Sequence, residues 1–234
     1  MEVVKLGKLY IVGTPIGNLE DITIRAIKVL REVDFLLSED KRRTYILLNR
    51  YGIRKKDMIS FNEKNARRKI PMVIKKLREG KTGALVSDAG MPVISDPGCD
   101  LVDACWKEGI KVDVVPGPSA LISAVAASGF SGSKFIFEGF LPKGKKRRRL
   151  LRTLKDEKKV LVFFESPERL LDTLKDIMDI MGNREIFIAR EMTKKFQEFF
   201  RGTVEEAIRH FQKGTLGEIT IVLSGKVESE EEKL

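Results

Sequence analysis

The first half of the chain alternates short apolar runs with segments in which apolar residues recur every three or four positions. Apolar runs of this length predict strands, and the wider spacing predicts amphipathic helices. The predicted strands are 8–14, 34–40, 58–62, 83–88 and 111–117, and the predicted helices are 21–33, 43–51, 66–79 and 97–109. This alternation is typical of a mostly parallel sheet with helices on both faces. Asp21 or Thr23 is expected to cap the first helix.

The pattern changes after the turn Pro116–Ser119. Strands are then predicted over 134–141, 159–166, 185–191, 197–203 and 217–225, and helices over 120–127, 167–181 and 204–211. Only a few residues separate strands 185–191 and 197–203, which predicts an antiparallel hairpin and hence a mixed sheet. We expect two α/β domains, 1–116 and 117–226, a polar tail over 227–234, and a ligand cleft between the domains.

Composition narrows the possible chemistry. The 234 residues include 44 Lys or Arg and 34 Asp or Glu, and the net charge of +10 suits a polyanionic partner. Two cysteines and one histidine are too few for a disulfide framework, a zinc site or a Ser-His-Asp triad, so no metal is expected. His210 lies in a predicted helix and is expected to be structural. Without a signal peptide or a long apolar run, the chain is expected to be soluble and cytoplasmic, with no membrane contact.

Three turns rich in Gly and Pro follow predicted strands: 13–18, 87–98 and 116–120. The carboxyl ends of parallel strands meet at one edge of a sheet, where open α/β folds bind ligands. Neither a phosphate loop nor a G-x-G-x-x-G fingerprint is present. Asp88 and Asp96 in the second turn would repel phosphates and would suit a cationic, hydroxyl-bearing ligand. S-adenosylmethionine has this chemistry.

Seven segments occur in a family-specific order: GTPIGNLEDIT, SEDKRRT, SDAGMPVISDPG, VVPGPSA, FFESPER, AREMTK and GEITIV. Together they resemble the tetrapyrrole methylase superfamily and, within it, the branch of small-subunit ribosomal RNA cytidine 2′-O-methyltransferases. The SDAGMPVISDPG loop resembles that branch most specifically. The resemblance extends over almost the whole chain.

The resemblance implies a two-domain α/β fold, a homodimer, and S-adenosylmethionine bound in a folded form in the cleft. It implies 2′-O-methylation of a cytidine in the decoding region of 16S ribosomal RNA, so the partner would be ribosomal RNA or the small subunit. Ser119 and Ala120 would begin a helix whose N–H groups hold the methionine carboxylate. The other implied cofactor-binding residues are Pro15, Asp88, Ala89, Gly90, Met91, Ile94, Ser95, Asp96, Phe164, Glu165, Ala189, Arg190, Gly217 and Glu218.

The chain departs from the family pattern in two segments. Lys41 stands where Thr is usual, and Asn62 and Lys64 stand where the family often has histidines. A histidine therefore cannot be the required base that accepts the proton of the ribose hydroxyl. The sequence leaves the catalytic base unassigned, or alignment of the substrates alone suffices. The candidates for a base are Asp21, Glu39, Asp40, Glu63 and Lys64.

The segment 143–155 carries eight basic residues and no acidic one. Leu150, Leu151 and Leu154 are expected to anchor one side of a helix there, and the basic side chains to contact RNA phosphates. The predicted RNA-binding residues are Lys143, Lys145, Lys146, Arg147, Arg148, Arg149 and Arg152. Two alternatives remain open: a methylase of a tetrapyrrole precursor, and a non-catalytic RNA-binding or ribosome-assembly protein.

Overall fold

The computed structural model describes residues 6–54 and 56–226. These residues form two compact units, the first ending at Ser119 and the second beginning at Ala120. The predicted polar tail, 227–234, lies outside the described residues.

The first unit is built on a five-stranded sheet in which every strand pair is parallel. The strands lie in the order β3-β2-β4-β1-β5. They are β1 (Lys8–Val12), β2 (Phe35–Ser38), β3 (Asp57–Ser60), β4 (Gly83–Val86) and β5 (Lys111–Val115). The helices are α1 (Ile24–Glu32), α2 (Lys41–Arg50), α3 (Ala66–Arg78) and α4 (Cys99–Lys107), with a 3-10 turn over Leu19–Asp21.

Side chains of β2 alternate between two cores because successive strand residues point to opposite faces. Leu36 packs in the core that contains Leu30 of α1 and Leu48 of α2. Its neighbour Phe35 packs in the other core, which contains Leu77 of α3 and Leu101 of α4. Helices therefore cover both faces of the sheet, as the sequence predicts.

Side-chain caps set the beginnings of two helices in the first unit. Thr23 caps α1 by accepting a hydrogen bond from Ala26 N at 3.1 Å, whereas Asp21 belongs to the preceding 3-10 turn. Asp40 caps α2 by accepting from Arg42 N at 2.9 Å. This cap starts α2 two residues earlier than predicted, because a carboxylate satisfies one of the free N–H groups of the first turn.

The second unit contains a mixed sheet in the order β6-β7-β10-β8-β9. Strands β6 and β7 are parallel, and the remaining pairs, including the predicted hairpin β8-β9, are antiparallel. The strands are β6 (Phe135–Phe140), β7 (Val160–Glu165), β8 (Glu185–Arg190), β9 (Glu198–Thr203) and β10 (Ile219–Leu223). The helices are α5 (Ala120–Ser128), α6 (Lys145–Thr153), α7 (Leu170–Met181) and α8 (Val204–Phe211), with a 3-10 turn over Pro167–Arg169. The predicted fold class is confirmed for each unit.

The lone histidine has the structural role that its position predicts. His210 lies in α8, and its Nε2 is 2.7 Å from Glu198 Oε1. Its ring packs against the rings of Phe200 and Phe211, with centroids 5.0 and 4.6 Å away. These contacts fasten α8 to the hairpin.

Candidate functional site

The three turns rich in Gly and Pro meet at one edge of the first sheet. Strand β1 lies between β4 and β5, so the turn after β1 is the middle one. Gly13 N donates to Val115 O at 3.0 Å. On the other side, Thr14 and Gly90 exchange two backbone hydrogen bonds of 2.9 and 3.1 Å. The predicted convergence of these turns is confirmed.

The loop 87–98 has a constrained backbone. Gly90 has φ 80°, and the non-glycine residues Val93 and Ser95 have φ 76° and 62°. Left-handed conformations of non-glycine residues cost on the order of 1–3 kcal/mol and collect at functional sites. The hydroxyl of Thr14 donates to Ser87 O at 3.2 Å, which fastens the start of the loop to the neighbouring turn. The loop therefore has a shape imposed by its surroundings.

The apolar and small residues of the first unit that the resemblance assigns to the cofactor lie in the turns at this edge. Pro15 is buried, Met91 is half-buried, and Ile94 is 50% exposed. Ser119 ends the first unit, and α5 begins at Ala120, as the sequence predicts. The first N–H groups of a helix have no acceptor within the helix, so they are available to bind an anion.

Three carboxylates give this edge a negative charge. Burial raises the pKa of Asp96 to about 6, although a hydrogen bond from Ser87 opposes this shift. Burial also raises the pKa of Glu39, and the charges of Asp96 and Asp88 raise it further. Arg43 is the cation that opposes this rise for Glu39, and its Nε lies 3.6 Å from Asp88 Oδ2. Asp88 is compensated in part, because its other oxygen accepts from Asp40 N at 3.0 Å. Burial leaves Asp96 and Glu39 with an unfavourable charge that a cationic ligand would relieve.

The structure separates the five candidate bases. Asp40 is occupied, because it caps α2 and its carboxylate accepts hydrogen bonds from Arg42 Nε and Nη2, the shorter being 2.7 Å. The hydrogen bond from the Arg42 side chain lowers the pKa of Asp40 to about 2. Asp40 is therefore a poor proton acceptor, and we withdraw it as a candidate base. Asp21, Glu63 and Lys64 are exposed, whereas Glu39 is half-buried beside Asp88 and Asp96.

In the second unit, an aromatic cluster forms at the end of β7. The ring of Phe164 lies 4.9 Å from that of Phe137 and 5.5 Å from that of Phe140, measured between centroids. Phe140 is 58% exposed, so the cluster offers an aromatic surface to a ligand.

Glu165 requires a correction to the sequence prediction. Its side chain is 0% exposed and accepts hydrogen bonds from Arg169 Nε at 2.7 Å, Thr173 Oγ1 at 2.5 Å and Ser166 N at 2.8 Å. The Glu165 carboxylate therefore does not reach an adenosine, since its oxygens are enclosed by these donors.

The remaining residues assigned to the cofactor lie at the end of β8 and directly before β10. Arg190 donates to Glu198 Oε2 at 2.6 Å and to Leu216 O at 3.1 Å. Ala189 is buried. Gly217 has φ 95°, and the Glu218 backbone N donates to Glu191 Oε1 at 2.9 Å. Arg190 and Glu218 thus make hydrogen bonds within the protein, and Gly217 has a left-handed backbone conformation.

The basic segment contains α6, and its exposed basic side chains are those of Lys143, Lys145, Lys146, Arg149, Arg152 and Lys155. Arg147 is 6% exposed and donates to Asp176 at 2.6 Å, so its prediction as an RNA contact is corrected. Arg148 is half-buried and paired with Asp176 and Asp179. Leu151 and Leu154 are buried on the anchoring side, as predicted, and Leu150 is half-buried.

Within 6–54 and 56–226, no group of three or more His, Cys, Asp or Glu side chains is placed to hold a metal ion. None of the helices found in these ranges has the length and apolar character needed to cross a membrane.

Comparison with known proteins shows similarity along almost the whole chain. Residues 8–208 match the model of the family Tetrapyrrole (Corrin/Porphyrin) Methylases. A protein of Thermotoga maritima named Ribosomal RNA small subunit methyltransferase I is 70% identical over 94% of this chain and 100% of its own length. A protein of the same name from Halalkalibacterium halodurans is 50% identical over 96% of this chain and 79% of its own.

Two solved structures share the fold. A diphthine synthase has a TM-score of 0.74 at 13% identity and covers 95% of this chain and 92% of its own. A cobalt precorrin-4 methyltransferase has a TM-score of 0.65 at 19% identity and covers 93% of this chain and 94% of its own.

We expect Asp96→Asn to increase the free energy of unfolding at pH 8 by about 1–2 kcal/mol. The folded-state pKa of Asp96, about 6, lies above the ordinary value of 3.8, so the folded protein bears an unfavourable charge above pH 6. The gain should shrink as the pH falls through about 6, because wild-type Asp96 then becomes protonated. Urea unfolding at pH 8 and pH 5 measures both effects. The exposed variant Asp103→Asn is the control, and equal or lower stability of Asp96→Asn at pH 8 would contradict the assignment.

We expect Arg147→Ala to lower the free energy of unfolding by about 2–4 kcal/mol, because the buried Asp176 then keeps only the half-buried Arg148 as its cation and Thr173 loses its donor. Arg149→Ala removes the same side chain type from an exposed position and should change stability by less than about 0.5 kcal/mol. Urea unfolding of the two variants at neutral pH provides the comparison. Similar losses in both would show that Arg147 is not held as described.

Proposed function

The chain belongs to the tetrapyrrole methylase family, and from that premise we propose that it methylates small-subunit ribosomal RNA. The methyl donor is S-adenosylmethionine, and the acceptor is the ribose 2′-oxygen of a cytidine in the decoding region of 16S RNA. The 70% identical relative named Ribosomal RNA small subunit methyltransferase I is the observation that carries the proposal. The geometry of each unit supports it independently.

The carboxylate-rich edge of the first unit fits the methionine end of this donor. Asp88 and Asp96 supply negative charge for its ammonium and sulfonium groups, and the backbone of the loop 87–98 supplies polar groups of fixed position. The first N–H groups of α5 suit its carboxylate. When bound, the donor supplies an electrophilic methyl group on a cationic sulfur.

The second unit offers groups that fit the adenosine end. The surface of Phe140 and Phe164 suits a purine ring, which favours stacking on aromatic side chains. Ala189, Arg190, Gly217 and Glu218 remain the proposed neighbours of the purine, whereas Glu165 leaves this set because its carboxylate is enclosed by its own donors.

Glu39 is the group best suited to accept the proton of the ribose hydroxyl. Its carboxylate is half-buried, and its raised pKa brings it closer to neutral pH, where a general base is more effective. Asp40 is removed from this role by Arg42. Alignment of the ribose oxygen with the methyl group supplies the remaining rate acceleration, since good orientation of reactants can lower the activation barrier by about 7–11 kcal/mol.

The exposed basic side chains of α6 and its approach provide the RNA contact. Lys143, Lys145, Lys146, Arg149 and Arg152 lie within one turn-and-helix segment and are exposed. Lys and Arg that neutralise phosphates release counterions, which makes binding dependent on salt.

The proposal includes a homodimer that acts in the cytoplasm. Its support is the family resemblance of the chain, together with relatives named for ribosomal RNA, which bacteria assemble in the cytoplasm.

Labelled S-adenosylmethionine should transfer its methyl group to unmethylated small subunits or to 16S RNA, and the label should map to a cytidine ribose 2′-oxygen. A tetrapyrrole precursor should stay unlabelled in a parallel reaction. The variant with Lys145, Lys146 and Arg149 changed to Ala should lose about 10-fold or more in RNA affinity and show a shallower salt dependence. Label only on the tetrapyrrole precursor would establish the alternative enzyme, and RNA binding without label would establish the non-catalytic reading.

Glu39→Gln should lower kcat by about 100-fold, the usual range for loss of a general base. Because the pKa of Glu39 is raised, wild-type activity should fall as acidic pH protonates this carboxylate, and Glu39→Gln should lose that limb of the pH profile. Glu63→Gln, at an exposed carboxylate nearby, is the control. Single-turnover and steady-state rates between pH 5 and 9 measure both variants, and rates for Glu39→Gln within about three-fold of wild type would leave alignment alone as the mechanism.

A further inference from the structure

A chain of buried polar side chains leads from α6 through α7 to the end of β7. Arg147 donates from Nε to Asp176 Oδ2 at 2.6 Å and from Nη1 to Thr173 Oγ1 at 2.9 Å. Thr173 Oγ1 in turn lies 2.5 Å from Glu165 Oε2. Thr173 is 0% exposed and Glu165 1% exposed, so solvent does not replace these contacts.

Each hydrogen bond in this chain has a fixed direction. An arginine can only donate and an ionised carboxylate can only accept. The Thr173 hydroxyl must therefore accept from Arg147 and donate its single proton to Glu165.

The far end of the chain fixes the turn that follows β7. Glu165 Oε1 accepts from Ser166 N at 2.8 Å and from Arg169 Nε at 2.7 Å. The turn Pro167–Arg169 is thereby tied to the last residue of β7. Phe164, the aromatic residue proposed to face the adenosine, precedes that residue directly.

Burial of several charges is an inefficient way to stabilise a fold. Apolar residues of similar volume often give equal or higher stability, whereas a hydrogen-bonded ionic network fixes one geometry. In this protein the network of Arg147, Thr173, Asp176 and Glu165 fixes the position of α6 relative to the turn after β7.

We propose, on the basis of the proposed function, that Thr173 is a positioning residue that couples RNA binding at α6 to methyl-donor binding at the end of β7. Phosphates bound to the exposed side of α6 restrain that helix. Through Arg147, Thr173 and Glu165, the same restraint orders the turn and the adjoining Phe164. Coupling between two binding sites is reciprocal, so bound donor should tighten RNA binding by the same factor.

The test measures binding of S-adenosylhomocysteine, the unreactive product, by equilibrium dialysis with and without saturating unmethylated small ribosomal subunits. Thr173→Val keeps the shape of the side chain and removes the hydroxyl, whereas Thr173→Ser keeps the hydroxyl. In wild type and Thr173→Ser, the subunits should tighten S-adenosylhomocysteine binding by about 5-fold or more. In Thr173→Val this ratio should fall to within about two-fold of unity.

Thr153→Val is the matched control, because it removes the same hydroxyl from an exposed position of α6 outside the buried chain, so the ratio should stay at the wild-type value. Circular dichroism checks that each variant is folded, and Asp176→Asn replaces Thr173→Val if the valine variant is not. Asp176→Asn removes the charge that pairs with Arg147 and keeps the size of the side chain. It should therefore also lower the ratio of S-adenosylhomocysteine affinities with and without subunits.

A wild-type ratio of one, or an unchanged ratio in the folded Thr173→Val variant, would overturn the coupling while the proposed function stands. Wild-type protein that binds S-adenosylhomocysteine but no subunits would overturn the proposed function and the coupling together.

Discussion

The close approach of two glycines determines the form of the candidate site. A Cβ on Gly13 would lie 2.7 Å from Gly117 Cα, and a Cβ on Gly117 would lie 2.8 Å from the Gly13 backbone. Any larger residue would force apart the turns after β1 and β5. Because the β1 turn also exchanges backbone hydrogen bonds with Gly90, such a displacement would reach the loop 87–98 as well. The relative positions of all three turns therefore depend on this contact.

The shape that these turns impose opposes the stability of the unliganded protein. Val93 and Ser95 have left-handed backbone conformations, and Asp96 is buried enough for its pKa to rise to about 6. Each of these features raises the energy of the free site. A cationic ligand would offset the buried charge, so part of the free energy of ligand binding would come from relief of a cost already present in the fold.

Much of the fold could be predicted from the sequence because its strands and helices have clear apolar periods. The predicted helix 204–211 matches α8 in full, and the hairpin followed from a short connection. The start of α2 was missed because the Asp40 cap is a single side-chain contact, which periodicity does not reveal. The convergence of the turns was predictable from the direction of parallel strands.

The role of Arg147 was assigned wrongly because its partners are distant in sequence. Arg147 binds Thr173 and Asp176, which lie 26 and 29 residues away. One signal was nevertheless present, since Arg147, Leu151 and Leu154 have the spacing of a single helix face. Leu151 and Leu154 are buried, so the arginine on their face had to be buried and to require an anion. A run of basic residues on an anchored helix therefore divides into exposed cations that can reach phosphates and one buried cation that orients them.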